Sequence, residues 1–120
     1  MLRALALVDD LMVLSRIRAA AAPAGVEVQV ARSLPELLEA CRPDPPALLI
    51  LDLDSPRLPV LAALAALRQE PLGAGVPALG FFSHVEPERA RSALAAGCER
   101  VWPRSRLVSE LAELLRTLPG

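Results

Sequence analysis

The sequence contains no lysine, no asparagine and no tyrosine, so all 13 of its basic residues are arginine. The absence of lysine excludes any mechanism that needs a lysine amine as nucleophile or acid. The two cysteines, Cys41 and Cys98, are 57 positions apart, and only one histidine is present. This spacing argues against a zinc site and against a disulfide framework. We therefore expect both cysteines to be buried as small hydrophobic residues.

Long hydrophobic runs and an excess of positive charge are also missing. The longest fully apolar stretches, such as residues 58–67, are too short to span a bilayer. The apolar run at the start of the chain ends at Asp9 and Asp10, which is too early for a secretory signal, so we expect a cytoplasmic protein that makes no membrane contact. The net charge of −1 offers no basic surface for a nucleic-acid backbone, and no nucleic-acid partner is expected.

The 120 residues are 53% hydrophobic, which fits one packed domain over residues 1–120 with no output domain. Strand-like and helix-like segments alternate along it. Apolar or alternating runs predict strands at 4–8, 26–30, 47–51, 76–82 and 100–102. Helical periodicity predicts helices at 11–22, from Ser33 to before Pro43, at 60–69, at 86–96, and from 105 or 107 to 118.

Five strand–helix units in succession predict a parallel sheet with helices on both faces. We therefore expect an α/β fold, a three-layer α/β/α sandwich with five parallel strands. At this chain length the flavodoxin-like strand order 2-1-3-4-5 is the common one.

In such a fold, function resides at the carboxyl ends of the strands. Asp9 and Asp10 follow the first predicted strand, Asp52 and Asp54 follow the third, and Ser83 follows the fourth. Arg104 follows the fifth. The sequence therefore predicts three or four carboxylates facing one hydroxyl and one guanidinium in a single crevice.

Carboxylates that meet in one crevice need a neutralising cation. Hard oxygen ligands suit Mg²⁺, and we expect Mg²⁺ to be held by a set drawn from Asp9, Asp10, Asp52 and Asp54. A central Asp52 beside Mg²⁺, Ser83 and Arg104 could accept a phosphoryl group. The alternative is that these acids are ordinary turn and helix-cap residues.

The stretches LVDD, LLILDLDSP, LGFFSH and AGCERVWPRS together resemble the receiver domains of two-component response regulators, and the likeness covers essentially the whole chain. The resemblance implies that Asp52 is the phosphoacceptor, with Pro56 completing an Asp-x-x-x-Pro loop. It also implies that Asp9 and Asp10 bind Mg²⁺ and that Ser83 turns toward the phosphoryl group. A histidine kinase or phosphotransfer protein would be the donor, a downstream protein the target, and a homodimer is compatible with the family.

The sequence departs from the receiver pattern at several positions. Arg104 stands where the family has a lysine, and its planar guanidinium is not equivalent to a compact ammonium. Val101 stands at the family's aromatic switch position. His84 follows Ser83 where a small residue is usual, and it could narrow access to Asp52.

Two other functions remain open at this stage. Asp52-Leu53-Asp54 is similar to the nucleophile loop of haloacid-dehalogenase-type phosphatases, but that family needs a later lysine and a further acidic pair, which this sequence lacks. We therefore expect no enzyme.

The second alternative function is that of a pseudo-receiver, which binds a partner without phosphorylation. Its partner surface would include the last strand and helices, with Arg89, Arg91, Arg100 and Arg106 exposed on or near it.

Overall fold

The computed structural model describes residues 2–55, 57–83 and 86–119, and in it five strands alternate with five helices. The strands are β1 (Leu2–Leu7), β2 (Val26–Val30), β3 (Leu48–Asp52), β4 (Ala78–Phe82) and β5 (Arg100–Pro103). The helices are α1 (Leu11–Ala21), α2 (Leu34–Cys41), α3 (Val60–Arg68), α4 (Pro87–Ala96) and α5 (Arg104–Arg116). None of the described helices is long and apolar enough to cross a membrane.

The five strands form one parallel sheet in the order β2-β1-β3-β4-β5. This confirms the predicted fold class and strand order. The central strands β1, β3 and β4 are covered on both faces, which is why their sequences are almost continuously apolar. The edge strand β2 has the sequence VEVQV, and its buried and exposed residues alternate because one face is partly open to solvent.

Successive residues of each central strand point into two separate cores. In β1, Leu5 and Leu7 pack among residues of α2, α3 and α4, whereas Ala4 and Ala6 pack against α1 and α5. The other central strands alternate in the same way, because side chains point to opposite faces of a sheet with a period of two. The result is the predicted three-layer sandwich.

The helix ends follow local signals that are visible in the sequence. The Ser33 hydroxyl accepts a hydrogen bond from the Glu36 N–H at 3.2 Å, which caps the start of α2. Gly97 adopts the left-handed conformation (φ 114°) that ends α4. Both cysteines are buried and free, as predicted.

Some predicted boundaries were wrong. Asp52 is the last residue of β3 and pairs with Phe81 of β4, although the sequence placed it in the following loop. Strand β4 begins at Ala78 and not at residue 76. Helix α5 begins at Arg104 and not at 105 or 107. Pro103 lacks an N–H and cannot donate a hydrogen bond to the sheet, so β5 ends there and the helix follows directly. His84 and Pro56, which the sequence singled out, lie outside the described residues.

Candidate functional site at the carboxyl edge of the sheet

Polar side chains gather where the strands end. Asp52 closes β3, and the preceding Leu51 pairs with Leu7 at the end of β1. The acids that follow β1 therefore reach the same edge of the sheet as Asp52. Ser83 follows β4 directly, and α5 begins immediately after β5. The positions brought to this edge are those that the sequence predicted: Asp9, Asp10, Asp52, Asp54, Ser83 and Arg104.

Asp52 is the buried acid of this group. Its side chain is 8% exposed, and no other polar or charged residue is buried in the part of the chain that the structure describes. One carboxylate oxygen, Oδ1, accepts a hydrogen bond from the Asp54 N–H at 2.9 Å. Burial raises the pKa of the Asp52 carboxyl above its ordinary value. The negative charges of Asp54, Asp9 and Asp10 raise this pKa further, and the Asp54 N–H opposes the increase.

Asp10 has the helix-cap role that the sequence offered as one alternative, and it also contacts Arg104. Its Oδ1 accepts hydrogen bonds from the N–H groups of Met12 (2.9 Å) and Val13 (3.2 Å), so it caps α1. Its Oδ2 lies 3.6 Å from Nη2 of Arg104. Arg104 therefore reaches the acids of the site, but in this structure its ion-pair partner is Asp10.

Asp9 is held by a residue that the sequence analysis missed. The Ser55 hydroxyl donates to Asp9 Oδ1 at 3.3 Å and accepts a hydrogen bond from the Leu58 N–H at 3.2 Å. Ser55 thus connects the loop after β3 to the loop after β1. The signal available in the sequence was a serine before a proline, which is a common turn pattern and does not reveal a contact 46 residues away.

Asp54 accepts hydrogen bonds from Arg89 of α4 and from Ser83 after β4. Its Oδ1 accepts a hydrogen bond from Arg89 Nη1 at 2.9 Å, and its Oδ2 accepts one from the Ser83 main-chain N–H. Arg89 was expected to lie exposed on or near a partner surface, and its side chain is 40% exposed, but its pairing was not predicted. Its guanidinium is partly buried and pairs with Asp54 across 35 residues of sequence.

A divalent cation would need several of these carboxylates at once. Among the residues the structure describes, no three Asp, Glu, His or Cys side chains form a ready metal site. The donor chemistry of Asp9, Asp10 and Asp52 nevertheless fits a hard cation, since these are oxygen ligands and the charges of Asp9 and Asp10 are close enough to raise the pKa of Asp52. Asp54 fits less well, because both of its carboxylate oxygens already accept hydrogen bonds.

The raised pKa of Asp52 leads to a prediction about stability. Because the folded-state pKa is above the unfolded-state value, ionised Asp52 destabilises the fold at neutral pH, and this penalty vanishes at low pH where both states are protonated. Asp52→Asn keeps an oxygen that can accept the Asp54 N–H. It should raise the free energy of unfolding at pH 7.5 by on the order of 1 kcal/mol, because it removes an unfavourably buried charge.

Urea unfolding at pH 7.5 and near pH 4 tests this prediction. The gain from Asp52→Asn should shrink toward pH 4, because the wild-type carboxyl then becomes protonated. Asp44→Asn removes an exposed carboxylate and should change the free energy of unfolding by less than about 0.5 kcal/mol. A gain at position 52 that is equal at both pH values would show that ionisation is not its cause.

The chain was compared with known proteins. No protein-family model matches the sequence, and no curated protein sequence matches it either. Solved structures do match. The chemotaxis protein CheY4 of Vibrio cholerae superposes with a TM-score of 0.83 at 20% identity, covering 99% of both chains.

Two further solved structures hold a metal ion or a phosphoryl group. A receiver domain of a sensor histidine kinase from Pseudomonas aeruginosa, with magnesium in its active-site cleft, has a TM-score of 0.81 at 17% identity. It covers 98% of this chain and 96% of its own. The phosphorylated cyanobacterial phytochrome response regulator RcpA has a TM-score of 0.78 at 18% identity, with 98% coverage of both chains. The chain therefore has the fold of response-regulator receiver domains.

Proposed function

We propose that this chain is a divergent receiver domain, with residues 1–120 forming the one domain, and that it accepts a phosphoryl group on Asp52. The observation that carries the proposal is the placement of Asp52. It is a carboxylate at the end of a central strand, and its burial, together with the charges of Asp54, Asp9 and Asp10, raises its pKa. A buried acid with a perturbed pKa at the carboxyl edge of a parallel sheet is typical of a reactive group.

The reaction would be a direct phosphoryl transfer. A carboxylate oxygen of Asp52 attacks the phosphorus of a phosphohistidine or an acyl phosphate, and an acyl phosphate forms on Asp52. The bond to the donor nitrogen or oxygen breaks, and the leaving group takes the bonding electron pair. Of the two Asp52 oxygens, Oδ1 accepts the Asp54 N–H, so the other oxygen is the better placed nucleophile.

Three neighbouring groups would support this transfer. Mg²⁺, held by Asp9, Asp10 and Asp52, would neutralise charge on the transferring oxygens. The Ser83 hydroxyl and the Arg104 guanidinium would contact the phosphoryl group once it is bound. Arg104 would first have to leave Asp10, whose Oδ2 lies 3.6 Å from its Nη2. One solved neighbour holding magnesium and another in its phosphorylated form support this assignment.

The partners would be proteins. A histidine kinase or a phosphotransfer protein would supply the phosphoryl group, and a downstream protein would bind the signalling form. The surface formed by α4, β5 and α5 suits such a target, because Leu94 is exposed on α4 and arginines are exposed on all three elements: Arg91, Arg100 and Arg106. We also propose that the protein signals in the cytoplasm and does not act as an enzyme.

Intact-mass spectrometry after incubation with acetyl phosphate and Mg²⁺ tests the proposal. We expect one phosphoryl adduct on the wild type, none on Asp52→Ala, and an unchanged adduct on the control Asp44→Ala, which removes an exposed carboxylate before the amino end of β3, the end opposite Asp52. The adduct should be lost when EDTA replaces Mg²⁺. Absence of the adduct from the wild type, or its persistence in Asp52→Ala, would overturn the assignment.

A second function, phosphorylation-independent protein binding, is favoured by two observations. Two of the four acids already have arginine partners, Asp10 with Arg104 and Asp54 with Arg89. Val101 also provides no aromatic ring for the usual switch. If the mass measurement shows no adduct under any condition, this function replaces the first.

A further inference from the structure

The Asp54 carboxylate joins three segments at the edge of the sheet. Asp54 itself follows β3, and its N–H donates to Asp52 Oδ1 at 2.9 Å. Its side chain accepts from the Ser83 main-chain N–H, directly after β4, and from Arg89 Nη1 in α4 at 2.9 Å. Asp54 therefore connects the buried acid Asp52 to helix α4, through one hydrogen bond at its N–H and another at its carboxylate.

The Arg89 guanidinium makes further contacts besides its hydrogen bond to Asp54. Its Nη1 also donates to the Leu53 carbonyl at 3.4 Å, and its Nη2 lies 3.8 Å from a carboxylate oxygen of Glu86. The side chains of Arg89 and Asp54 are 40% and 27% exposed. An isolated ion pair this exposed contributes little to the free energy of unfolding. We therefore expect the pair to act mainly through the two groups that Asp54 binds, the Asp52 carboxylate and the Ser83 N–H.

We propose that Arg89 is a positioning residue of the Asp52 site, and that it acts through Asp54. By orienting the Asp54 carboxylate it holds the Ser83 main chain at the edge of the sheet where Asp52 ends β3, and its positive charge offsets the negative charge of Asp54 toward an approaching phosphodonor. The effect on the transfer rate rests on the proposed function, whereas the effect on the Ser83 main chain does not.

The two halves of the ion pair should affect the transfer in opposite directions. Arg89→Gln leaves the negative charge of Asp54 without its partner near Asp52, so an anionic donor such as acetyl phosphate is repelled more strongly. Asp54→Asn removes that charge and still offers an amide oxygen to the Ser83 N–H. A purely structural role of the ion pair would make both variants change in the same direction.

The first experiment measures the rate of Asp52 labelling by acetyl phosphate at low ionic strength. We expect Arg89→Gln to be about threefold slower and Asp54→Asn about threefold faster, and the double variant to lie near the wild type. Arg89→Lys should restore most of the rate, and salt should reduce all differences because it screens charges. Arg91→Gln removes an exposed arginine of the same helix and should match the wild type.

The second experiment measures hydrogen exchange of the Ser83 amide in the unphosphorylated protein. Asp54→Ala removes the acceptor and should speed exchange at least about tenfold, with Arg89→Gln in between and Arg91→Gln unchanged. If Arg89→Gln leaves this exchange unchanged, or if both single variants shift the labelling rate in the same direction, the proposal is overturned. If the wild type takes no label while exchange responds as expected, the proposed function fails and the positioning of Ser83 by Arg89 stands.

Discussion

Replacing Arg68 by alanine is expected to lower the free energy of unfolding by about 3–5 kcal/mol. Arg68 ends α3, and its side chain is only 16% exposed. Its Nη1 donates to the carbonyls of Val76 (2.6 Å) and Gly73 (2.9 Å), and its Nη2 donates to the carbonyl of Gly97 (2.9 Å). A carboxylate oxygen of Glu99 lies 3.9 Å from Nη2.

The size of the effect follows from what the truncation would leave behind. Three carbonyls in two separate turns would lose a charged donor together, and partly buried polar groups without partners cost about 1–3 kcal/mol each. Arg68→Lys should recover only part of the loss, because one ammonium cannot serve both turns as a planar guanidinium does.

Urea unfolding of the two variants beside a matched control measures this effect. Arg42→Ala breaks the exposed ion pair with Glu39, whose atoms are 2.6 Å apart, and should change the free energy of unfolding by less than about 1 kcal/mol. A loss in Arg68→Ala no larger than that of Arg42→Ala would show that the guanidinium does not hold the two turns.

Arg68 and the candidate site lie at opposite edges of the sheet. Arg68 connects the turns that lead into the amino ends of β4 and β5, whereas the acids follow the carboxyl ends of β1 and β3. At one edge a single guanidinium binds three carbonyls, and the other edge keeps several like charges near a buried carboxylate. Such a division is expected when a scaffold must stabilise a reactive group that is itself unfavourable for folding.

The fold could be predicted from the sequence because local signals and global topology agree. The alternation in VEVQV, the Ser33 cap and the left-handed Gly97 each determine one element independently. The positions of Asp52 and Ser83 followed from topology alone, since parallel strands bring their carboxyl ends to one edge.

Side-chain pairing across the fold could not be predicted in the same way. Arg89 meets Asp54 across 35 residues, and Arg68 meets the Gly97 carbonyl across 29. Neither contact leaves a pattern in the neighbouring sequence, and any of the 13 arginines could have served. The sequence therefore located the acids of the site but not the cation that pairs with Asp54.

The second large effect is expected at Gly73, where alanine should lower the free energy of unfolding by about 2–3 kcal/mol. A Cβ at this position would overlap the carbonyl oxygen of Leu67 and come within 2.5 Å of the Leu67 Cγ. Leu67 is fully buried in the core beneath α3. Its main chain cannot move without disturbing the helix end that carries Arg68.

Gly75 provides the matched control two residues further along the same turn. A Cβ there would meet nothing within 4 Å. Gly75→Ala should therefore be neutral or stabilise by up to about 1 kcal/mol, because alanine restricts the unfolded chain. The two variants differ only in where one methyl group is placed, so their urea midpoints separate steric overlap from chain entropy. If Gly73→Ala unfolds at the same urea concentration as Gly75→Ala, close approach to Leu67 is not what requires glycine at residue 73.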